Sequence, residues 1–463
     1  MTAPLGIAER ALAAVGGTEP LHVRVVRERS ILLRFARSRP TQATAVDDLT
    51  VEITALRDGH TASAVTNRSD PEALTDCARA AGEAADAAAR SGPGSYPGFP
   101  APRAGQPHDG RDAETARLDP ASGGSALEVA FEVAERNGVE AHGAWTAAEV
   151  ETAIACTSGD LVSEAVTDAL MKVTCIAQDA RSGYACAAGT SVQSLDPGAI
   201  ADAAAARASG ALATGWNGGP ALRVEPGEYP VVLDADAVGE LAGWLGLLAF
   251  NGLAYAEERS PLVGRMGTRV ASACVNLADS PRHPRTLPRA FDAEGVPKAP
   301  LPLIQDGLAH RVVHDSRSGA LAGATSTGHA ERPGGSQDGP QPTNLVLAGG
   351  GAADAAELCR PIERGVYVTR LWYTNAVRPK ETLITGVTRD GTFLIEDGEI
   401  VAPLEDLRLT DSVLGVFERV QDLGSTPRLT SEGEFYGRRF ATGVVCPPLR
   451  AGAMRFTGRA PGA

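Results

Sequence analysis

Apolar residues recur at helical spacing over residues 5–16 and stop at Gly16-Gly17, after which the pattern changes. From Leu21 to Arg37 polar and apolar positions alternate in the manner of a half-buried strand. Thr50–Ala55 and Thr61–Thr66 read as two further strands joined by an Asp58-Gly59 turn. Asp70-Pro71 then opens an Ala-rich helix to Ala89, with Asp70 as N-cap and proline at the first helical position. Periodicity disappears over about 91–124, where Pro, Gly, Asp and Arg dominate, and this stretch reads as a linker or long surface loop. A helix at 125–137 follows, then strands at Glu140–Thr146, Glu151–Cys156 and Leu170–Gln178, and an Ala-rich helix at Asp196–Ser209.

Gly215–Gly219 and the proline-bracketed Pro226–Pro230 mark a change to strand-rich text. Val231-Val-Leu reads as a strand feeding an apolar helix that ends near Leu248. Asp306-Gly307, Asp390-Gly391 and Asp397-Gly398 each separate alternating segments and predict hairpin turns, so Leu383–Val401 reads as a tight meander. A helix at Ser412–Leu423 and a Pro-rich strand region complete the chain. The pattern predicts an α+β fold. An N-terminal mixed α/β domain spans 1–215, and a β-rich C-terminal domain, 225–457, surrounds a central buried helix.

Composition narrows the function classes. With 463 residues, 43% hydrophobic and 22% charged, the chain has the balance of a globular protein large enough for two or three domains. A net charge of -14 disfavours nucleic acid and anionic lipid as partners. Met1–Val15 lacks a basic segment followed by a long apolar one, so no secretory signal is expected there. No apolar run reaches the length of a membrane span. The seven cysteines are scattered without a Cys-x-x-Cys pair, which suits reduced thiols in a cytoplasmic protein.

Six segments carry a recognisable text: Val231-Val-Leu with its helix, Ser260–Ser272, Phe291-Asp-Ala-Glu-Gly-Val-Pro297, Ser326-Thr-Gly-His-Ala330, Asn344–Gly350 and Thr385–Ile400. In order and spacing they resemble the TldD/PmbA (TldE) family, and Thr66–Pro71 and Tyr96-Pro-Gly-Phe-Pro100 extend the likeness into the first half. The resemblance implies heterodimers of an active zinc metalloprotease and a metal-free partner. In the protease branch the helix carries His-Glu-x-x-x-His, whose histidines hold zinc with a late cysteine while the glutamate serves as base. Here those three positions fall on Gly243, Trp244 and Leu248. The late cysteine would fall near Glu432–Glu434, and Cys446 lies well beyond it in the final strand region. None of the three helix side chains can hold a metal or move a proton, and Trp244 is expected to fill the volume of the missing metal shell.

Other residues have both a chemical and a plain reading. His310 and His314 would grip an ion on a helix, but the turn before them predicts a strand, where residues four apart lie about 13 Å from each other. His329, in the Ser326, Thr327, Gly328 loop, either stitches that loop or faces a peptide groove or partner. Arg370, Trp372 and Tyr373 form either an interface anchor or ordinary core. Gly349–Gly351 lacks the Lys-Ser/Thr of a phosphate loop, and no Gly-x-Ser-x-Gly elbow is present.

The resemblance therefore implies a non-catalytic TldE/PmbA-like subunit without a cofactor of its own. Zinc is expected in a TldD-like partner, and the pair would act on unfolded or small peptides. Two alternatives stay open: an active metallopeptidase with a displaced site at His310, His314 or Cys446, and a homodimeric peptide-binding or scaffold protein.

Overall fold

The computed structural model of the chain describes residues 3–14, 19–431, 439 and 441–460. The first half is one antiparallel sheet of β1 (Leu21–Ala36), β2 (Arg39–Arg57), β3 (His60–Thr66), β4 (Glu140–Cys156), β5 (Val162–Ile176) and β6 (Ser182–Gly189), ordered β3-β2-β1-β4-β5-β6. Four helices cover one of its faces: α1 (Pro4–Ala14), α2 (Pro71–Ala89), α3 (Pro120–Arg136) and α4 (Pro197–Ser209). Strand alternation sorts the residues. Val23, Val25 and Ile31 of β1 point to the helices, while Arg24, Val26 and Glu28 point to the opposite, helix-free face.

The helices α2, α3 and α4 start alike, with an aspartate cap (Asp70, Asp119, Asp196) accepting a backbone N–H and proline in the first turn. The Asp119-Pro120 pair starts α3 earlier than the expected residue 125, because the Gly and Ser that follow it hide the helical pattern.

The second half is built on β7 (Gly227–Leu233) and the helix α5 (Ala235–Leu248). A sheet of short strands comprises β8 (Leu277–Asp279), β9 (Leu301–Gln305), β10 (Leu308–Ala309), β11 (Leu345–Leu347), β17 (Arg428–Thr430) and β18 (Val444–Cys446). A larger sheet joins β7 to β12 (Arg364–Arg378), β13 (Leu383–Glu396), β14 (Glu399–Pro403), β15 (Leu407–Ser412) and β19 (Leu449–Arg459), and β16 (Val420–Leu423) pairs with β19. Because β12 also pairs with β13, this sheet closes on itself. The apolar face of α5 packs between the two sheets, with Leu241, Leu245, Phe250, Phe417 and Phe456 in one core. The fold class is α+β, as the pattern indicated.

Several elements differ from expectation, each for a local reason. The predicted strands at Glu140–Thr146 and Glu151–Cys156 are one strand, β4, because Ala147-Ala148-Glu149-Val150 is buried on both faces and shows no alternation. The strand expected at Thr50–Ala55 is the end of the 19-residue β2, whose earlier part is polar and exposed. β6 was not anticipated. Asp390-Gly391 is no hairpin turn: both residues have positive φ, but they form a bulge inside β13 opposite Thr369. The helix expected at Ser412–Leu423 ends at Glu418 and the chain continues as β16. The strand expected to carry His310 and His314 stops at Ala309.

The core around α5 yields a direct test. Leu245→Ala removes a fully buried side chain and is expected to cost about 2–5 kcal/mol in denaturant unfolding. A loss below about 1 kcal/mol would show that α5 is not central to the core.

Candidate functional site

Charge fixes the start of α5. The Asp234 carboxylate accepts the Ala235 N–H at 2.7 Å and pairs with Arg207 of α4 and, at 3.9 Å, with Arg428. Asp236 holds Arg428 through two bonds of 3.1 and 2.7 Å. Burial alone would raise the Asp234 pKa, but the two guanidiniums and the helix N–H outweigh it and keep the carboxyl below its usual range. Beside this cluster the Cys446 thiol donates to the Ala235 carbonyl at 3.2 Å, and burial pushes its pKa up to about 12, so it is a poor thiolate ligand.

From this anchor one stripe of α5 stays open. Gly243 is exposed and Trp244 and Leu248 are half-buried, on the same face as Glu240. The helix is therefore not wholly buried as the sequence suggested, and the three residues that the resemblance sets at the motif positions lie on its open side. Trp244 Nε1 donates to Glu240 Oε1 at 3.0 Å and to Thr374 Oγ1 at 2.8 Å, tying α5 to β12. A Cβ at Gly243 would meet nothing within 4 Å, so Trp244 does not occupy a ligand's place there. Glycine offers no ligand atom, the indole N–H only donates and leucine is hydrocarbon, so the residues present do not fit zinc.

The other metal candidates are not brought together. His310 is exposed, whereas His314 is buried with Nδ1 3.2 Å from Ser318 Oγ. Among the described residues no three His, Cys, Asp or Glu side chains form a group that could hold a metal ion. Glu432–Glu434, the expected place of the late cysteine, lies outside the described residues.

Three of the family-resembling segments of the second half meet in a buried polar knot. Asp292 Oδ1 accepts the Glu294 and Val296 N–H groups at 2.9 Å, and Oδ2 accepts that of Ala330 at 2.8 Å, clipping the Phe291–Pro297 turn to the Ser326–Ala330 loop. His329 Nδ1 lies 2.9 Å from Thr327 Oγ1 and its Nε2 3.2 Å from Asp279 Oδ1. Lys298 Nζ sits 3.4 Å from the same carboxylate oxygen and donates to the Gly328 carbonyl. Burial and the Lys298 charge lower the His329 pKa against the opposing pull of the Asp279 carboxylate. Thr327 accepts the His314 N–H at 2.7 Å, and Ser326 donates to the His314 carbonyl. Gly328 has φ +78, and a Cβ there would lie 2.6 Å from the Pro297 carbonyl oxygen, so only glycine fits. The Ser326–His329 loop thus stitches the fold, while Gly328 and His329 also line a cavity toward the first half.

Several buried contacts cross between the halves, two of them through Tyr96 and Arg439. Tyr96 OH donates to Glu294 Oε1 at 2.9 Å, while Ser316 donates to Oε2 through its N–H and hydroxyl. Arg439 reaches the helix-free sheet face, where it pairs with Asp168 and donates to Thr146 Oγ1 at 2.9 Å. Neither contact was legible in the sequence, since the partners are 198 and 271 residues apart. The aromatic cluster divides. Arg370 is buried between the Tyr184 and Trp372 rings, 4.0 and 4.5 Å from their centres, with Asp390 at 3.5 Å, so it is no surface anchor. Trp372 is half-buried and Tyr373 is 75% exposed.

A family model described as PmbA/TldA metallopeptidase C-terminal domain matches residues 226–458, and one for PmbA/TldA metallopeptidase domain 1 matches 23–85. The chain belongs to the TldD/PmbA family. A metalloprotease of Methanothermobacter thermautotrophicus is 26% identical over 210 residues, which cover 44% of this chain and 44% of that protein. A metalloprotease TldD homolog of Haemophilus influenzae is also 26% identical over 210 residues, 43% of this chain and 41% of its own length. The aligned region thus spans less than half of these curated relatives. The crystal structure of TldE from Thermococcus kodakarensis superposes with a TM-score of 0.84 at 19% identity, covering 98% of this chain and 99% of that one. That likeness shows a shared TldD/PmbA fold along the chain.

The knot also sets a pH dependence. Burial and the neighbouring Asp292 charge push the Glu294 pKa from 4.5 up to about 8. The folded state then binds more protons than the unfolded chain across that window, so its contribution to stability falls as pH rises from 4.5 to about 8. Glu294→Gln keeps an acceptor for Tyr96 or Ser316 without the charge. Its melting temperature is expected to fall less than that of the parent between pH 6 and 9, and parallel curves would contradict the assignment.

Proposed function

We propose that this TldD/PmbA-family chain is the non-catalytic, TldE/PmbA-like subunit of a heterodimeric zinc metallopeptidase. The carrying observation is the open stripe of α5, where Gly243, Trp244 and Leu248 stand at the family's ligand and base positions. A TldD-like partner supplies the zinc, the base and the bound water. This chain supplies an interface and part of the enclosure for an unfolded or small peptide. The exposed Tyr373, the half-buried Trp372 and the open face of α5 are the surfaces we assign to partner or peptide. Pairing of an extended backbone with strand edges would hold such a peptide with little sequence preference. Six of the seven cysteines are buried and all seven are free, which suits a reducing, cytoplasmic compartment.

Co-expression with a His-Glu-x-x-x-His relative from the same genome tests this reading. The two chains are expected to co-purify at equal stoichiometry with one zinc per pair. Peptidase activity on an unfolded substrate should fall at least tenfold when this chain is omitted. Failure to co-purify, or stoichiometric zinc and chelator-sensitive cleavage from this chain alone, would overturn it.

A further inference from the structure

The four helices leave part of their face of the first sheet bare. α1 and α2 pack on Val23, Val25, Val51 and Ile53, while α3 and α4 pack on Ile31 and Phe35 of β1 and on the strands beyond it. The first part of β2 lies outside both groups, and its Thr41, Ala43 and Ala45 are exposed. A groove of about 710 Å³ remains between this strand and α3, within the range of ligand sites. Its base is apolar, formed by Leu33, Pro40, Ala43, Leu127 and Phe131.

The same stretch of β2 is a free edge. β1 pairs with β2 from Arg39 to Ala55, but β3 covers the other side only from Val51 to Arg57. Among the described residues no strand pairs with the outer side of residues 39–50, which leaves a row of outward N–H and C=O groups. Pro40 and the register shift beside it blunt only the tip. Residues 42–50 keep a regular register with β1 and offer an edge that another strand can join.

Charge decides what kind of strand fits. Glu128, Glu132 and Glu135 of α3 line the groove, are exposed, and make no ion pair or side-chain hydrogen bond among the described residues. No described lysine or arginine lines it. The arginines of the β1–β2 hairpin are turned away or already held. Arg34 and its register partner Gln42 point to the face opposite Leu33 and Ala43, and the register shift that follows puts Arg39 on that face too. Arg27 and Arg29 are paired with Asp47 and Glu149, and Arg136 with Asp202 at 2.8 Å. The three free carboxylates spread over about 10 Å of α3, at about 1.5 Å per residue. Alternate side chains of a strand stand about 6.7 Å apart on one side, so two or three of them face that span.

We propose that this edge and groove bind an extended cationic peptide, which joins β2 as a further strand. Its lysine or arginine stems cross Leu33, Leu127 and Phe131, and their charged ends meet Glu128, Glu132 and Glu135. Main-chain bonds to the edge supply affinity without sequence preference, and the carboxylates supply the preference for basic side chains. The proposal rests on the peptide-holding part of the function above and names a peptide class for it. The surface lies on the helix-bearing face of the first sheet, opposite the face that meets the knotted loops, and is separate from the α5 stripe.

Binding to the isolated full chain tests this without the zinc-bearing partner. The probes are a fluorescent dodecapeptide alternating lysine with threonine, its counterpart with glutamate for lysine, and the lysine peptide N-methylated at alternate backbone amides. The unmodified lysine peptide is expected to bind at least tenfold more tightly than either counterpart, with affinity falling as salt rises. Hydrogen exchange of the outward backbone amides within 42–50 should slow at least tenfold on binding. The double variant Glu128→Lys, Glu132→Lys should weaken binding at least fivefold with an unchanged melting temperature, and Glu128→Asp, Glu132→Asp should keep most of the affinity. A counterpart that binds as tightly as the lysine peptide, no detectable binding, protection confined to other strands, or an unaffected lysine double variant would each overturn the proposal. A free chain that sediments as a dimer with these amides already protected would assign the edge to a second copy and overturn it as well. Co-purification with the zinc-bearing relative is read separately, so loss of this inference leaves the subunit reading standing, and the reverse.

Discussion

The start of α5 is where the two halves of the chain are held in one arrangement. Asp234 and Asp236 place two carboxylates at a helix N-terminus, where the backbone N–H groups favour negative charge. Arg207, from a helix of the first half, and Arg428, from a strand of the second, neutralise them. Replacing one partner would leave a largely buried charge uncompensated, so the four residues fix where α5 points. That direction decides which stripe of the helix faces the core and which stays open, and Gly243, Trp244 and Leu248 lie on the open one.

Once α5 is oriented, three further family-resembling segments have a structural explanation. Phe291–Pro297, Ser326–Ala330 and Asn344 are joined through Asp292, Asp279, His329 and Lys298, with the Asn344 N–H donating to Asp279 at 2.8 Å. These residues close irregular loops whose backbone groups would otherwise be buried without partners. The residues of the knot and those of the open α5 stripe are separate sets.

The legibility of the fold follows the same division. Strands covered on one face, such as β1, and helices opened by Asp-Pro were visible because alternation and capping are local signals. β4 was split in the reading because both of its faces are covered and its alanines carry no contrast. Asp390-Gly391 looked like a turn because the same residue pair serves a bulge, and only the partner strand distinguishes them. At the site, the resemblance pointed to Gly243, Trp244 and Leu248, but their exposure was not legible in the sequence. The Tyr96–Glu294 and Arg439–Asp168 contacts depend on how the halves meet, which no local pattern records.

The open stripe of α5 then carries the functional account. It carries the residues that the resemblance sets at the family's motif positions, none of which can ligate zinc. Zinc-edge anomalous diffraction from crystals of the complex with a His-Glu-x-x-x-His relative tests the central claim most directly. The account predicts a single peak per heterodimer, at the helix of the partner. A peak beside Gly243, Trp244 and Leu248 of this chain would contradict it.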